Sequence, residues 1–299
     1  MNSRGQLMTE KCHPMSAGLD RLSVQEAFEL INNEDATIAA AVAEARSEIC
    51  QAIDLVVDSL RNGGRLIYVG AGTSGRLGVL DATECPPTFL TDPNMVQGVI
   101  AGGPAALTRS IEGAEDRPED GAAAMDEKQV RPNDVVFGIA TGGTTPFVHG
   151  AIARAKQLGA KTVFFACVSK NQVADDADVS IRVITGPEVL TGSTRMKAGT
   201  ATKMVLNMVT TISMVRLGKV YRNLMVDVNT AANAKLVDRG GRIIEQITGV
   251  SRAESLRLLQ SAQGKVKTAL VMHVRNVDAK TAKQILIESN GLLSKILKS

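Results

Sequence analysis

The stretch Arg65-Leu-Ile-Tyr-Val-Gly70-Ala-Gly-Thr-Ser-Gly-Arg76 decides the fold. Its first half, Arg65–Val69, is a short apolar run, the pattern of a strand buried on both faces. Its second half, rich in Gly, Thr and Ser, is a strand–turn–helix junction. Read loosely, Gly70 to Gly75 fits the Gly-x-Gly-x-x-Gly dinucleotide fingerprint. Hydroxyls, however, occupy the turn where a dinucleotide needs close backbone approach. No acidic residue ends a second strand about 20 residues on, as the ribose contact requires. The junction suits a phosphate monoester better, because backbone N–H groups, hydroxyls and the helix dipole all favour an anion there.

Working outward, the same alternation recurs. Candidate strands are Arg65–Val69, Gln97–Ala101, Val135–Ala140, Lys161–Cys167 and Val179–Ile184, with helical patterns between them at Pro104–Ile111, Asp116–Lys128 and Pro146–Gly159. Continuous apolar strands alternating with helices predict an α/β fold: a mostly parallel sheet with helices on both faces, a three-layer αβα arrangement. Upstream, residues 1–22 read as an irregular arm, and Ser23 with Glu26 has the spacing of a capping box opening a short helix through Leu30. From Asp35 to Leu60 apolar residues at three- and four-residue steps (Ile38, Val42, Ile49, Ile53, Val57, Leu60) predict one long amphipathic helix, ended by Asn62-Gly63-Gly64. Downstream, a helix over Thr194–Leu217 carries Met196, Met204, Met208 and Met214, read as core packing. Another runs from Asn229 to Thr248. Three short helices then form a small C-terminal bundle, with Ser251 and Glu254 as a second capping box and Asp278 as a further cap. The expected organisation is an arm and short helix over 1–34, a large α/β domain over 35–249 and a small helical domain over 250–299.

Composition excludes several classes. Aromatics make up 3% of 299 residues, with no Trp and two Tyr, which argues against single-strand nucleic-acid binding by stacking and against sugar binding on rings. The net charge of +3, from 34 basic and 31 acidic residues, has no basic stripe to drive counterion release, so no nucleic-acid partner is expected. Four scattered cysteines (Cys12, Cys50, Cys85, Cys167) and three histidines lack metal-ligand spacing; no metal is expected, and the thiols read as buried and reduced. Residues 1–14 lack an apolar signal core, and no stretch approaches the roughly 18 apolar residues of a membrane span. A cytoplasmic protein with no membrane partner is the expectation.

In such sheets ligands bind beyond the carboxyl ends of the strands, where helix N-termini converge. Three hydroxyl-bearing turns stand there: Thr73-Ser74 after the first strand, Thr141-Gly142-Gly143-Thr144-Thr145-Pro146 after the third, and Gly192-Ser193-Thr194-Arg195 opening the Met-rich helix. Two carboxylates share the same sheet edge. Glu84 lies in Leu80-Asp-Ala-Thr-Glu84-Cys-Pro-Pro, and Glu115 in Ile111-Glu-Gly-Ala-Glu115-Asp116. Carboxylates in different environments can divide acid and base roles.

The segment Gly186-Pro-Glu-Val-Leu-Thr-Gly-Ser193-Thr-Arg-Met-Lys197-Ala-Gly-Thr-Ala-Thr-Lys203-Met-Val-Leu-Asn207 resembles the signature shared by N-acetylmuramic acid 6-phosphate etherases and the glucokinase regulatory protein, both built on the sugar isomerase (SIS) domain. Leu19–Ser23 with Ile31–Asp35, Gly70–Phe89 and Asn223–Asn229 are similar to the etherases in colinear order. The regulatory protein is roughly twice as long, with two such domains, so the etherases resemble this chain more nearly. The resemblance implies a lyase that needs no cofactor. The sugar ring opens, the C2 proton, acidified by the C1 aldehyde, is removed, D-lactate leaves C3 and water adds. It matches Glu115 to the base at C2 and Glu84 to the acid on the departing lactate oxygen, a role that implies burial of Glu84. Phosphate is expected against Thr73, Ser74, Ser193 and Thr194, and against Thr141, Gly142, Thr144 and Thr145. Lys197 is expected to face phosphate or the lactate carboxylate, or to form a structural ion pair. The resemblance also implies a homodimer with shared sites.

Two departures from the etherase pattern stand out. Where it reads Ala-Ser-Gly-Arg-Thr-Pro-Tyr, this chain has Thr141-Gly-Gly-Thr-Thr-Pro-Phe147, lacking a hydroxyl at Gly142 and a charge at Thr144. Where it reads Thr-Glu-x-Arg-Asn-Pro-Asn-Ser, this chain has Thr9-Glu-Lys-Cys12-His13-Pro-Met15-Ser16, and His13 reads as a surface residue of the arm. The alternatives are an aldose–ketose isomerase, which needs no acid aimed at C3, and a non-catalytic sugar-phosphate sensor, which needs neither Glu84 nor Glu115.

Overall fold

The computed structural model describes residues 4–228, 230 and 234–297. The chain divides into two compact units, residues 1–82 with 94–210 and residues 83–93 with 211–299.

The first unit opens with the arm and then α1 (Val24–Asp35). The Ser23 hydroxyl accepts from the Glu26 N–H and the Glu26 carboxylate from the Ser23 N–H, the capping box expected there, although the helix extends past Leu30. The predicted long helix is two, α2 (Ile38–Glu44) and α3 (Arg46–Arg61), broken where Ala45 leaves helical geometry (φ −88°, ψ 14°). Ile38, Val42, Ala45 and Ile49 are all buried, so the apolar stripe continues through the break and periodicity could not reveal it. Asn62 and Gly63 end α3, Gly63 with positive φ.

Next come β1 (Leu66–Gly70), α4 (Gly72–Phe89), β2 (Val96–Ile100), α5 (Pro118–Glu127), β3 (Val135–Ile139), α6 (Pro146–Gln157), β4 (Lys161–Ala166), β5 (Val179–Arg182) and α7 (Lys197–Arg216). Each predicted strand is present within a residue or two. Between Pro104 and Ile111, where a helix was expected, only a 3-10 turn forms over Pro104–Leu107, entered through Gly102 and Gly103 with positive φ. The five strands are parallel in the order β2-β1-β3-β4-β5. On one face Ile67, Val69, Val136 and Phe164 pack with Val148, Ala151, Ile152 and Ala155 of α6, with Met125 of α5 and with Leu7 of the arm. On the other, Tyr68 meets Phe137 edge-on at 5.5 Å, and α4 crosses so closely that a methyl on Gly78 would stand 2.9 Å from Tyr68 Cβ. Each such fully buried large side chain stabilises by roughly 1.5–3 kcal/mol. The helix-flanked parallel sheet is therefore the fold class that the sequence predicts.

Helices α4 and α7 each run on into the second unit. There β6 (Val220–Tyr221) and β7 (Leu224–Met225) make a short hairpin, followed by α8 (Ala234–Thr248), α9 (Arg252–Ser261), α10 (Val266–Arg275), α11 (Ala279–Glu288) and α12 (Leu293–Ile296). The expected start of α8 at Asn229 lies outside the described residues. Ser251 and Asp278 accept from the N–H groups of Glu254 and Thr281 and cap α9 and α11, although the Glu254 carboxylate pairs with Arg257 rather than closing the expected box. Ile243, Ile244, Leu259, Leu270, Val271 and Leu293 form this unit's core. Among the described residues no helix is long and apolar enough to cross a membrane.

Candidate active site

The strand order reverses between β1 and β3, and ligands of open α/β sheets bind beyond the carboxyl ends of the strands at such a point. Both flanking strands run directly into hydroxyl-bearing loops.

After β1 the chain turns into α4 within two residues. A methyl on Gly75 would stand 2.7 Å from the Gly70 carbonyl oxygen, so only Gly lets the helix start pack onto the strand end. This places Thr73, half-buried, and Ser74, buried, in the first turn.

After β3 the second loop is pinned from both sides. The Cys167 N–H donates to the buried Thr141 carbonyl (2.8 Å), and His149 Nε2 donates to the Gly143 carbonyl (2.7 Å) while its ring stacks on Phe164. Thr144 and Thr145 are half-buried, and Pro146 starts α6. His149 was not singled out from sequence, because a helical His three residues past the Pro carries no motif.

The third loop differs from expectation. Glu188, fully buried, accepts from the Lys197 N–H (3.0 Å) and the Ala198 N–H (2.9 Å), so a protein carboxylate already occupies the first donors of α7. The hydroxyls of Ser193 and Thr194 precede these two occupied donors in the chain. A methyl on Gly199 would stand 3.6 Å from Thr73 Cγ2, so α7 begins against the first loop.

Of the two readings open for Lys197, the structure shows the ion pair. Lys197 is buried, and its Nζ donates to Glu34 Oε2 at 2.6 Å. His13, expected at the surface, is buried too. Its Nε2 lies 3.1 Å from Glu34 Oε1 and its Nδ1 accepts from the Met15 N–H. The hydrogen bond from Lys197 holds the Glu34 carboxyl below its usual range, with His13 adding to the effect against partial burial. Glu34→Ala leaves a buried ammonium without its carboxylate, and a loss of about 3 kcal/mol in urea unfolding is expected. Because the folded-state value is depressed, this stabilisation is complete above pH 4.5 and fades as acid protonates Glu34. The gap between wild type and Glu34→Gln should therefore narrow below that pH.

Glu115 sits in a 3-10 turn (Ala114–Asp116) entered through Gly113 with positive φ, and it is exposed. The segment leading to it is tied to α4 by Arg76, which donates to the Leu107 and Arg109 carbonyls. Glu115 lines two small adjoining cavities. One, about 170 Å³, it shares with Ala71, Gly72, Arg76 and Ser110. The other, about 140 Å³, it shares with Glu10, Gly142, Thr144 and Thr145. The structure thus brings together Glu115, the first two loops and the arm. Glu10 also reaches the third loop, where its Oε2 would be 3.1 Å from a methyl on Gly192. Two larger cavities, about 580 and 560 Å³, lie along β5 and β2 and contain none of the expected site residues.

Glu84 lies three turns along α4, in the second unit, and lines neither Glu115 cavity. It is exposed, so the burial expected of it is not found within the chain. Asp81, one turn earlier, is the half-buried carboxylate of this helix. Burial pushes it up, opposed by hydrogen bonds from Tyr68 and Thr210.

Two of the four thiols, Cys85 and Cys167, are buried as expected, while Cys12 and Cys50 are exposed. Burial pushes the Cys167 thiol up to about 12. Iodoacetamide at pH 8 should therefore label Cys12 and Cys50 and spare Cys167 in the folded protein, as read by peptide mass spectrometry.

A helix-flanked parallel sheet with hydroxyl loops at its switch point defines the SIS class, and residues 113–212 match the SIS domain family. Residues 48–156 match the glucokinase regulatory protein N-terminal SIS domain. The chain is 54% identical over 299 residues to the N-acetylmuramic acid 6-phosphate etherase of Crocosphaera subtropica, covering 100% of this chain and 98% of that one. It is 55% identical over 290 residues to the etherase of the same name from Gloeobacter violaceus, covering 97% and 94%. A phosphoheptose isomerase structure from Francisella tularensis superposes with a TM-score of 0.49 at 19% identity, covering 67% of this chain and 99% of that one. The chain belongs to the N-acetylmuramic acid 6-phosphate etherase family. It is an enzyme, a carbon–oxygen lyase.

Proposed function

We propose that the protein cleaves the D-lactyl ether of N-acetylmuramic acid 6-phosphate, giving N-acetylglucosamine 6-phosphate and D-lactate by elimination and water addition. The observation that carries this reading is the position of Glu115, a carboxylate facing both hydroxyl loops at the switch point. Phosphate is held by the hydroxyls of Thr73, Ser74, Thr141, Thr144, Thr145, Ser193 and Thr194, and beside Gly142. Lys197 acts from behind, fixing the start of α7 through Glu34.

In the ring-opened substrate the C1 aldehyde delocalises the charge that develops at C2, so a carboxylate is a sufficient base, and Glu115 takes the C2 proton. Hydrogen-bond donors around the aldehyde oxygen stabilise the enolate. Electrons then move from the enolate to expel the lactate oxygen from C3, and Glu84 protonates it. Water adds to the unsaturated aldehyde at C3, and C2 is reprotonated. The active form is a homodimer with shared sites. Substrate and a second copy of the chain cover Glu84, which is exposed within the single chain. The phosphorylated amino sugar places the enzyme in the cytoplasm, in cell-wall amino sugar catabolism. Purified protein should release D-lactate in step with N-acetylglucosamine 6-phosphate, as followed with D-lactate dehydrogenase and chromatography. Intact protein that binds the substrate and releases no lactate contradicts the reading.

A further inference from the structure

The segment that delivers Glu115 is tied to the rest of its unit by hydrogen bonds from one side chain. Every residue from 107 to 113 is exposed, so burial does little to fix their place. Gly102 and Gly103 before them and Gly113 at their end take positive φ, and each turns the chain sharply. Among the described residues, the hydrogen bonds of 107–113 stay within 105–116, apart from two. Those two come from Arg76 of α4. Its Nε donates to the Leu107 carbonyl and its Nη2 to the Arg109 carbonyl, both at 3.1 Å. Arg76 and Glu115 line the same cavity of about 170 Å³. Arg76 also follows Thr73 and Ser74 in the helix that opens with the first hydroxyl loop.

We infer that Arg76 is a positioning residue, whose guanidinium holds Glu115 in place relative to the phosphate-binding turn of α4. This role rests on the reading of Glu115 as the base at C2. A base must stand within hydrogen-bond reach of its proton, about 2.6–3.2 Å, and a misplacement of about 1 Å can cost about 10²-fold. With the sugar fixed by its phosphate at Thr73 and Ser74, the base has to be indexed to the same helix. Arg76 does this with a planar fork whose donors reach two carbonyls of the segment. A lysine ammonium is a compact point charge and does not grip both carbonyls in the same geometry. Arg76 acts on the reaction through Glu115 alone, so its loss costs rate and not binding.

The test uses the full chain, with N-acetylmuramic acid 6-phosphate in heavy water and N-acetylglucosamine 6-phosphate as a calorimetric probe. In Arg76→Ala the kcat for C2 exchange should fall about 10²-fold, the cost of a displaced base. KM and the calorimetric affinity should stay within about threefold of wild type, because the hydroxyl loops are untouched. Amide hydrogen exchange over 107–116 should quicken while the strands keep their protection. Arg76→Lys keeps the charge and the stem and should lose C2 exchange about tenfold; it carries the test where Arg76→Ala does not fold. C2 exchange within about threefold of wild type in both variants overturns the role. So does a fall in affinity that matches the fall in kcat, which makes Arg76 a binding group, and so does unchanged protection over 107–116. Exchange at the wild-type rate in Glu115→Ala sinks the base reading and this role with it. Loss of exchange in Glu115→Ala beside full exchange in both Arg76 variants removes Arg76 alone.

Discussion

Glu115→Ala is expected to abolish exchange of the C2 proton and release of lactate together, by about 10²–10⁴-fold, the range a positioned general base supplies. Both fall because removal of that proton comes first and elimination cannot proceed without the carbanion it leaves. Glu115→Gln should fall as far, since the amide keeps the shape and cannot accept the proton at neutral pH. The side chain is exposed in a short 3-10 turn, so either change should leave stability within about 0.5 kcal/mol of wild type. Proton NMR of substrate in heavy water reads exchange directly, and a denaturant melt of the same samples reads stability. Exchange at the wild-type rate in Glu115→Ala would remove Glu115 from the base role.

Glu84→Ala separates the two halves of the reaction. Without the acid the lactate oxygen leaves poorly, so release should drop by about 10²–10⁴-fold while Glu115 continues to exchange the C2 proton. The substrate pool then becomes deuterated at C2 faster than product appears, which is the reverse of the pattern for Glu115→Ala. Glu84 is exposed on α4, where alanine is at least as good a helix former, so a folding defect is not expected. Loss of exchange and release together in Glu84→Ala would show that Glu84 acts before elimination.

The sheet was legible because each strand is an uninterrupted apolar run, and a parallel sheet covered on both faces needs that pattern. Leu66–Gly70 and Val135–Ile139 are buried at every position. The first two loops were legible for the same reason, since a strand end fixes where its loop must start. What the sequence hid are partnerships at long separation. His13 and Lys197 look like an arm residue and a phosphate ligand until Glu34 is seen between them. The isolated Glu188 becomes the cap of α7 only when the chain folds back nine residues. The break at Ala45 was hidden because burial continues across it. Glu10 gave one signal, its place in a stretch resembling the etherases, and nothing in local spacing says that the arm reaches the second loop.

The central claim is elimination at C3 followed by water addition, and labelled water tests it most directly. The protein would be incubated with N-acetylmuramic acid 6-phosphate in deuterated, ¹⁸O-enriched water, and both products analysed by mass spectrometry and NMR. The account predicts deuterium at C2 and one ¹⁸O at C3 of N-acetylglucosamine 6-phosphate, with none entering D-lactate by bond cleavage. Oxygen-18 in the ether position of lactate, or lactate release with C2 still protonated, would contradict it.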